Sequence, residues 1–238
     1  MNGWEVAVVV AATMVGAFIQ GSVGIGLNLI AAPAMALVDE RLVPGPAIAS
    51  AMALTILMAV RDRHGLHLGE IRTALLGRVP ATVLAAATVA LLPAGPLAVL
   101  FALLVLLAVA ISASGVHMRP TPRSLLVAGA LSGYMATATS IGGPPMAMVY
   151  ANEEGRRMRG TLAGFFLVGT VMSLGALALA GEFATEELSL SAVAVPGTVV
   201  GFVASRHGAH RLDAGHTRTA VLVVSVLGAL SVLVKTTL

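Results

Sequence analysis

Apolar runs broken by charge, proline or glycine divide the chain into two successive groups of five. The first runs are 4–20, 21–38, 44–60, 73–92 and 96–112; the second are 124–138, 139–151, 160–180, 188–205 and 217–234. Most approach the roughly 20 residues that a helix rising about 1.5 Å per residue needs to cross a bilayer. The runs 124–138 and 139–151 are short for full spans and read as half-helices. The pattern predicts an all-α chain whose solvent is lipid.

Composition agrees with that reading. Hydrophobic residues make up 58% of the chain and charged residues 11%, with a mean hydropathy of +0.95. Soluble domains carry roughly 25% charged residues. Met1 to Glu5 holds no Lys or Arg, so the first run lacks the basic flank of a signal peptide and is read as part of the mature protein. With no cysteine, disulfides and thiolate metal sites are excluded. The net charge of +3 does not point to nucleic acid, because the basic residues are spread over short loops instead of forming a patch.

Those basic residues set a topology. Apart from Arg41 and Lys235, they fall in or beside four connections: Arg61, Arg63, Arg72 and Arg78; Arg119 and Arg123; Arg156, Arg157 and Arg159; Arg206, Arg211 and Arg218. The positive-inside rule places these connections in the cytoplasm and both termini outside. The loops at 113–123 and 152–159 are then on one side, so the stretch 124–151 must enter and leave there. Two tilted spans or a re-entrant hairpin would satisfy this, the hairpin only where protein buries its broken backbone.

The two groups also match each other. Ile25-Gly26 recurs as Ile141-Gly142, and Val79-Pro80-Ala81-Thr82-Val83 as Val195-Pro196-Gly197-Thr198-Val199, both at an offset of 116. A shared offset for separate motifs indicates duplication. Each half makes an odd number of crossings, so the second copy emerges inverted, as in many transporters. The expected architecture is a first membrane repeat over 1–116 and a second over 117–238, each a broken helical hairpin followed by three spans.

The breaks carry the candidate chemistry. Gln20 to Asn28 holds Gly21, Gly24 and Gly26; Thr137 to Pro145 holds Gly142, Gly143, Pro144 and Pro145. Glycine loosens a helix and proline removes a donor, so both stretches should open. An opened helix presents amides and a new N-terminus with roughly half a positive charge. Two such ends facing one point would bind an anion without any charged side chain. Substrate-binding candidates are Ser22, Gly24, Gly26 and Asn28 in the first half, and Thr139, Ser140, Gly142, Gly143 and Pro144 in the second. The pairs Gly129-x3-Gly133, Gly160-x3-Gly164 and Gly197-x3-Gly201 read instead as helix-packing sites.

Other residues are read as bystanders. His64, His67, His117, His207, His210 and His216 all fall in the basic connections and lack acidic or thiolate company, so no metal is expected. Arg78 lies about six residues inside its run and is expected to snorkel to the cytoplasmic surface, with a gate or substrate role as the alternative. The apolar runs hold no cluster of nucleophile, base and acid, and no nucleotide fingerprint occurs, which argues against an enzyme and calls for no cofactor.

The glycine-rich joint followed by Pro33, the run Ser140-Ile141-Gly142-Gly143-Pro144-Pro145, and their placement near the start of each half resemble the sulfite exporter TauE/SafE family. The likeness spans essentially the whole chain. It implies a bacterial inner-membrane, multi-pass transporter exporting sulfite, sulfoacetate or related organosulfur anions. Gly26-Leu27-Asn28 stands where the family tends to have tandem glycines, and Ser50-Ala51 where it tends to have a Thr-Ser pair. The expected partners are therefore a small anion and the bilayer, with a homo-oligomer compatible and nucleic acid not. A channel, or a transporter of another oxyanion or carboxylate, is the alternative; an intramembrane enzyme stands behind both.

Overall fold

The structure, a computed structural model, describes residues 1–208 and 222–231. Among the described residues every regular element is helical: α1 Gly3–Val23, α2 Leu27–Val38, α3 Gly45–Arg61, α4 Leu68–Leu91, α5 Ala94–Ala113, α6 Pro122–Thr139, α7 Gly143–Tyr150, α8 Gly155–Leu179, α9 Thr185–Gly208 and α10 Leu222–Ser231. Short 3-10 turns, Glu40–Leu42 and Arg63–Gly65, precede α3 and α4.

Local chemistry marks the ends. Asn2 and Glu5 form a reciprocal cap on α1, and Thr121 with Ser124 does the same for α6, where Pro122 takes the first helical position. Six segments, Gly3–Val23, Glu40–Arg61, Leu68–Leu91, Ala94–Ala113, Gly155–Leu179 and Thr185–Arg206, are long and apolar enough to cross a membrane. Large apolar side chains such as Leu76, Leu91 and Leu179 point outward from them, as lipid-facing residues do. The chain is a multi-pass membrane protein.

Several boundaries move from their sequence-based positions. Residues 21–23 of the second run complete α1, and a new helix begins at Leu27 because residues 24–26 form the break. Helix α4 begins at Leu68, five residues before the apolar run, because polar Glu70 and Arg72 occupy its first turns. The run 217–234 is described only over Leu222–Ser231. Helix α7, with 8 residues, rises about 12 Å and cannot cross a bilayer. The Met118 amide, in the loop before α6, bonds the Met148 carbonyl of α7 at 2.9 Å. The start of the α6–α7 pair is thereby held against its end, as a hairpin requires.

Glycines set the closest helix contacts. A Cβ on Gly129 of α6 would lie 2.0 Å from the Ala74 carbonyl of α4, and one on Gly77 of α4 would lie 2.1 Å from the Leu126 carbonyl of α6. Helices α1 and α9 meet the same way: a Cβ on Gly197 would stand 2.3 Å from the Val10 carbonyl, and one on Gly201 2.1 Å from that of Met14. Backbone, which cannot swing aside, would have to move. Gly129→Val is accordingly expected to lower the melting temperature in detergent by about 2–12 °C, followed by circular dichroism, from an overpacking cost of about 1–3 kcal/mol.

Pro33 in α2 has no N–H for the Leu29 carbonyl one turn earlier. The hydroxyl of Ser225 on α10 donates to that carbonyl at 2.6 Å, and Gly228 lets α10 approach the proline ring. Helix α10 is thus docked where α2 has lost a backbone bond.

Candidate functional site

Both breaks are built by local sequence. At the first, Gly24 ends α1 with φ 98° and its amide bonds the Gln20 carbonyl at 2.8 Å; Gly26, at φ 136°, starts α2. Side chains rarely tolerate these angles. The Gln20 Oε1 then accepts the Leu27 amide at 2.9 Å, so the last turn of α1 satisfies the first donor of α2.

At the second break, Ser140 adopts a left-handed conformation at φ 62°, which for a non-glycine residue costs roughly 1–3 kcal/mol. Hydrogen bonds hold it there. Thr139 Oγ1 donates to the Met135 carbonyl at 2.7 Å and accepts the Ile141 amide at 3.3 Å, while the Ser132 hydroxyl donates to the Gly142 carbonyl at 2.6 Å. A Cβ on Gly142 would strike Ala136 Cβ at 2.6 Å and the Ser132 carbonyl at 2.8 Å, so glycine is required for this fold-back.

The two breaks meet. Asn28 Nδ2, in the first turn of α2, donates to the Ser140 carbonyl at 3.0 Å and to the Ala47 carbonyl of α3 at 3.4 Å. A cavity of about 60 Å³ lies at this junction, lined by residues of both breaks and of α3, α4 and α8.

Arg78 lines the same cavity and is only 1% exposed. The expectation that it snorkels is corrected here. Because α4 starts at Leu68, Arg78 sits ten residues along it, about 15 Å in and near half the depth of a hydrocarbon core. It also faces the bundle. Glycines open its slot: a Cβ on Gly133 would meet Arg78 Cγ at 2.7 Å, and one on Gly169 would meet Cζ at 2.3 Å. Nη2 donates to the Gly169 carbonyl and to Ser173 Oγ, both at 3.1 Å, and Cζ stands 5.1 Å from the centre of the Phe165 ring. Ser173 Oγ is paired in turn with Thr137 Oγ1 at 2.8 Å. Nε and Nη1 are buried without a partner.

Of the candidate residues, Gly26, Asn28, Arg78, Ser140, Gly142 and Gly143 line the cavity, while Ser22, Gly24, Thr139 and Pro144 do not. The Ser22 hydroxyl is engaged by the Phe18 carbonyl at 2.7 Å, and Gly24 lies against Arg159. The expectation of an anion site free of side-chain charge also changes. Two of the first three residues of α7 are prolines without amides, and the Leu27 amide is already taken; the positive charge at the cavity is a guanidinium. Gln20, Thr55, Thr170 and Ser173 line it too and were not singled out from sequence. Their signal was present: each is a polar residue inside an apolar run, and Thr170 and Ser173 are three apart on one face of α8.

The ends of the bundle differ. At the basic end, Glu70 of α4 accepts from Tyr150 Oη at 2.9 Å and from Arg157 of α8, which also pairs with Glu153 at 2.6 Å. Asp62 pairs with Arg61 at 2.7 Å and lies 3.7 Å from Arg159, while Arg61 and Arg206 both cover the Phe202 ring. At the other end a second cavity of about 270 Å³ lies among Arg41, Val43, Pro44, Phe101, Ala138 and Glu182. The last turn of α6 separates the two, with Ala136 and Ser140 on the inner cavity and Ala138 on the outer. Among the described residues no group of three or more His, Asp or Glu is placed to hold a metal ion. His207, His210 and His216 lie beyond what the structure describes of side chains.

Comparison with curated proteins and with solved structures finds no match. The sulfite exporter TauE/SafE family profile matches residues 8–232, nearly the full length, and the chain therefore belongs to that family of membrane transporters.

Proposed function

We propose that the chain is a secondary transporter that exports a small anion, sulfite or an organosulfonate such as sulfoacetate, by alternating access at the cavity between the two helix breaks. One observation carries this reading: the buried guanidinium of Arg78 lines the cavity between the two breaks and carries two donors that no protein group accepts. An uncompensated charge at this depth is costly, and an ionisable residue inside a membrane protein marks a solute path. An anion supplies the missing charge and acceptors together.

The packing supports two inverted halves. Exchange of the halves converts the α1–α9 contact into the α6–α4 contact, and both are close glycine-mediated packings. It likewise relates Pro80 inside α4 to Pro196 inside α9, and the α2 break to the α7 break. Rocking of such halves about a shared site would expose it alternately. With the basic end assigned to the cytoplasm, the ion pairs of Glu70, Arg157, Asp62 and Arg159 close that side, and the larger cavity leads outward.

Reconstituted protein is expected to give saturable sulfite flux that is stimulated by sulfite on the opposite face. Flux rising linearly with concentration, without counter-stimulation, would mean a channel instead. Absence of flux for sulfite, sulfoacetate and small carboxylates alike would overturn the transport reading.

A further inference from the structure

The cavity carries more information than its charge. Asn28 fixes a second orphan group in it. Both groups that its side-chain amide meets are carbonyl oxygens, of Ser140 and Ala47, so the NH2 must face them and Oδ1 must turn away. That oxygen is buried and has no partner. Arg78 and Asn28 both line the cavity, and between them they carry two orphan donors, Nε and Nη1 of Arg78, and one orphan acceptor, Asn28 Oδ1. A buried acceptor calls for a donor, and a fully ionised oxyanion has none to give.

Charge and size narrow the occupant further. Arg78 is the one ionisable side chain among the lining residues, so a single negative charge neutralises the site and a dianion leaves one in excess. The cavity is small, about 60 Å³, and suits a compact oxyanion better than an elongated one. Sulfite has four heavy atoms; sulfoacetate is twice as large and doubly charged.

Resting on the anion-transport reading above, we infer that the bound form is a singly charged, protonated oxyanion of sulfite size, its oxygens on Arg78 and its hydroxyl donating to Asn28 Oδ1. The sulfite ligand is thus hydrogen sulfite, and Asn28 is the residue that selects the protonated form. Export would carry the proton with the anion, without any buried carboxylate to shuttle it.

Isothermal titration calorimetry on the full chain in detergent tests this with two comparisons. The first titrates sulfite on either side of its second ionisation. The dissociation constant in total sulfite is expected to rise about tenfold per pH unit above that ionisation, as the protonated fraction falls. Nitrate, which does not titrate there, is measured at the same pH values to account for titration of the protein. The second compares hydrogen carbonate with nitrate, planar monoanions of four heavy atoms of which only hydrogen carbonate carries a hydroxyl donor. Hydrogen carbonate is expected to bind about tenfold tighter or more, because it satisfies the orphan acceptor. Affinity for sulfite that holds or improves with pH, or nitrate binding as well as hydrogen carbonate, would overturn the selection of a protonated form while leaving an anion site. Binding of none of the anions would overturn the anion site itself, and this inference with it.

Discussion

Replacing Arg78 with methionine is expected to make the protein more stable and useless for binding. The guanidinium is buried, with the Gly169 carbonyl and Ser173 Oγ as its hydrogen-bond partners and the Phe165 ring beside it. Exchange of buried ionic groups for apolar ones of similar volume is commonly neutral or stabilising, by about 1–4 kcal/mol. At about 2–4 °C per kcal/mol for a chain of this length, Arg78→Met should melt up to several degrees higher than the wild type without anion. Addition of anion should reverse the order. Saturation at about 100 times the dissociation constant stabilises the wild type by about 2.7 kcal/mol, whereas the variant gains nothing. The loss of a desolvated charge partner, about 2–5 kcal/mol, corresponds to a drop in affinity of roughly 30-fold to several thousand-fold. Arg78→Lys should restore little, since an ammonium on a flexible stem cannot hold Gly169 and Ser173 while offering two further donors to a ligand. Thermal melts of the three proteins with and without sulfite read both effects. A wild-type sulfite shift in Arg78→Met would remove this residue from the site.

Much of this candidate site is legible in the sequence. Gly24, Gly26, Gly142 and the Pro144-Pro145 pair mark the breaks because their backbone requirements are local: left-handed angles, close approach, and missing amides. The Ile-Gly and Val-Pro motifs that recur at an offset of 116 were equally plain. Arg78 was misjudged for a reason that hydropathy cannot repair. An apolar-run reading starts α4 after Arg72, whereas the helix starts at Leu68 and carries polar residues in its first turns. Those five residues move Arg78 about 7.5 Å deeper, out of reach of the surface.

Its direction depended on partners far away in sequence. Gly133 and Gly169, on α6 and α8, leave the space that the guanidinium occupies. Gly133 had been assigned to helix packing, and it does pack on α4. What it also receives is a charged side chain, a distinction that only tertiary structure draws. The fate of hydroxyls was likewise not readable: Ser22 and Thr139 bond their own helix backbones, whereas Asn28 reaches across to the other break.

Position 143 offers the sharpest test of the junction itself, because two substitutions there should part company. A Cβ on Gly143 would meet Ile25 Cβ at 3.4 Å and Cγ2 at 3.5 Å, which is near ordinary contact, and the residue has no left-handed backbone angle. Gly143→Ala should therefore fold and keep most of its flux. Gly143→Val adds two γ-methyl groups at the wall of a cavity of only about 60 Å³. Those methyls compete for the space that a small ligand would fill. Expression and monodispersity should stay near wild type, since the Cβ itself meets only Ile25 at ordinary contact, yet sulfite flux in proteoliposomes should fall to background. Gly142→Ala is the contrasting neighbour: its Cβ would collide with Ala136 and Ser132, so it should lose folded protein first. If Gly143→Val were to transport at the wild-type rate, the solute path would lie elsewhere. If Gly143→Ala already lost flux with its fold intact, the ligand would need the bare backbone of residue 143 itself.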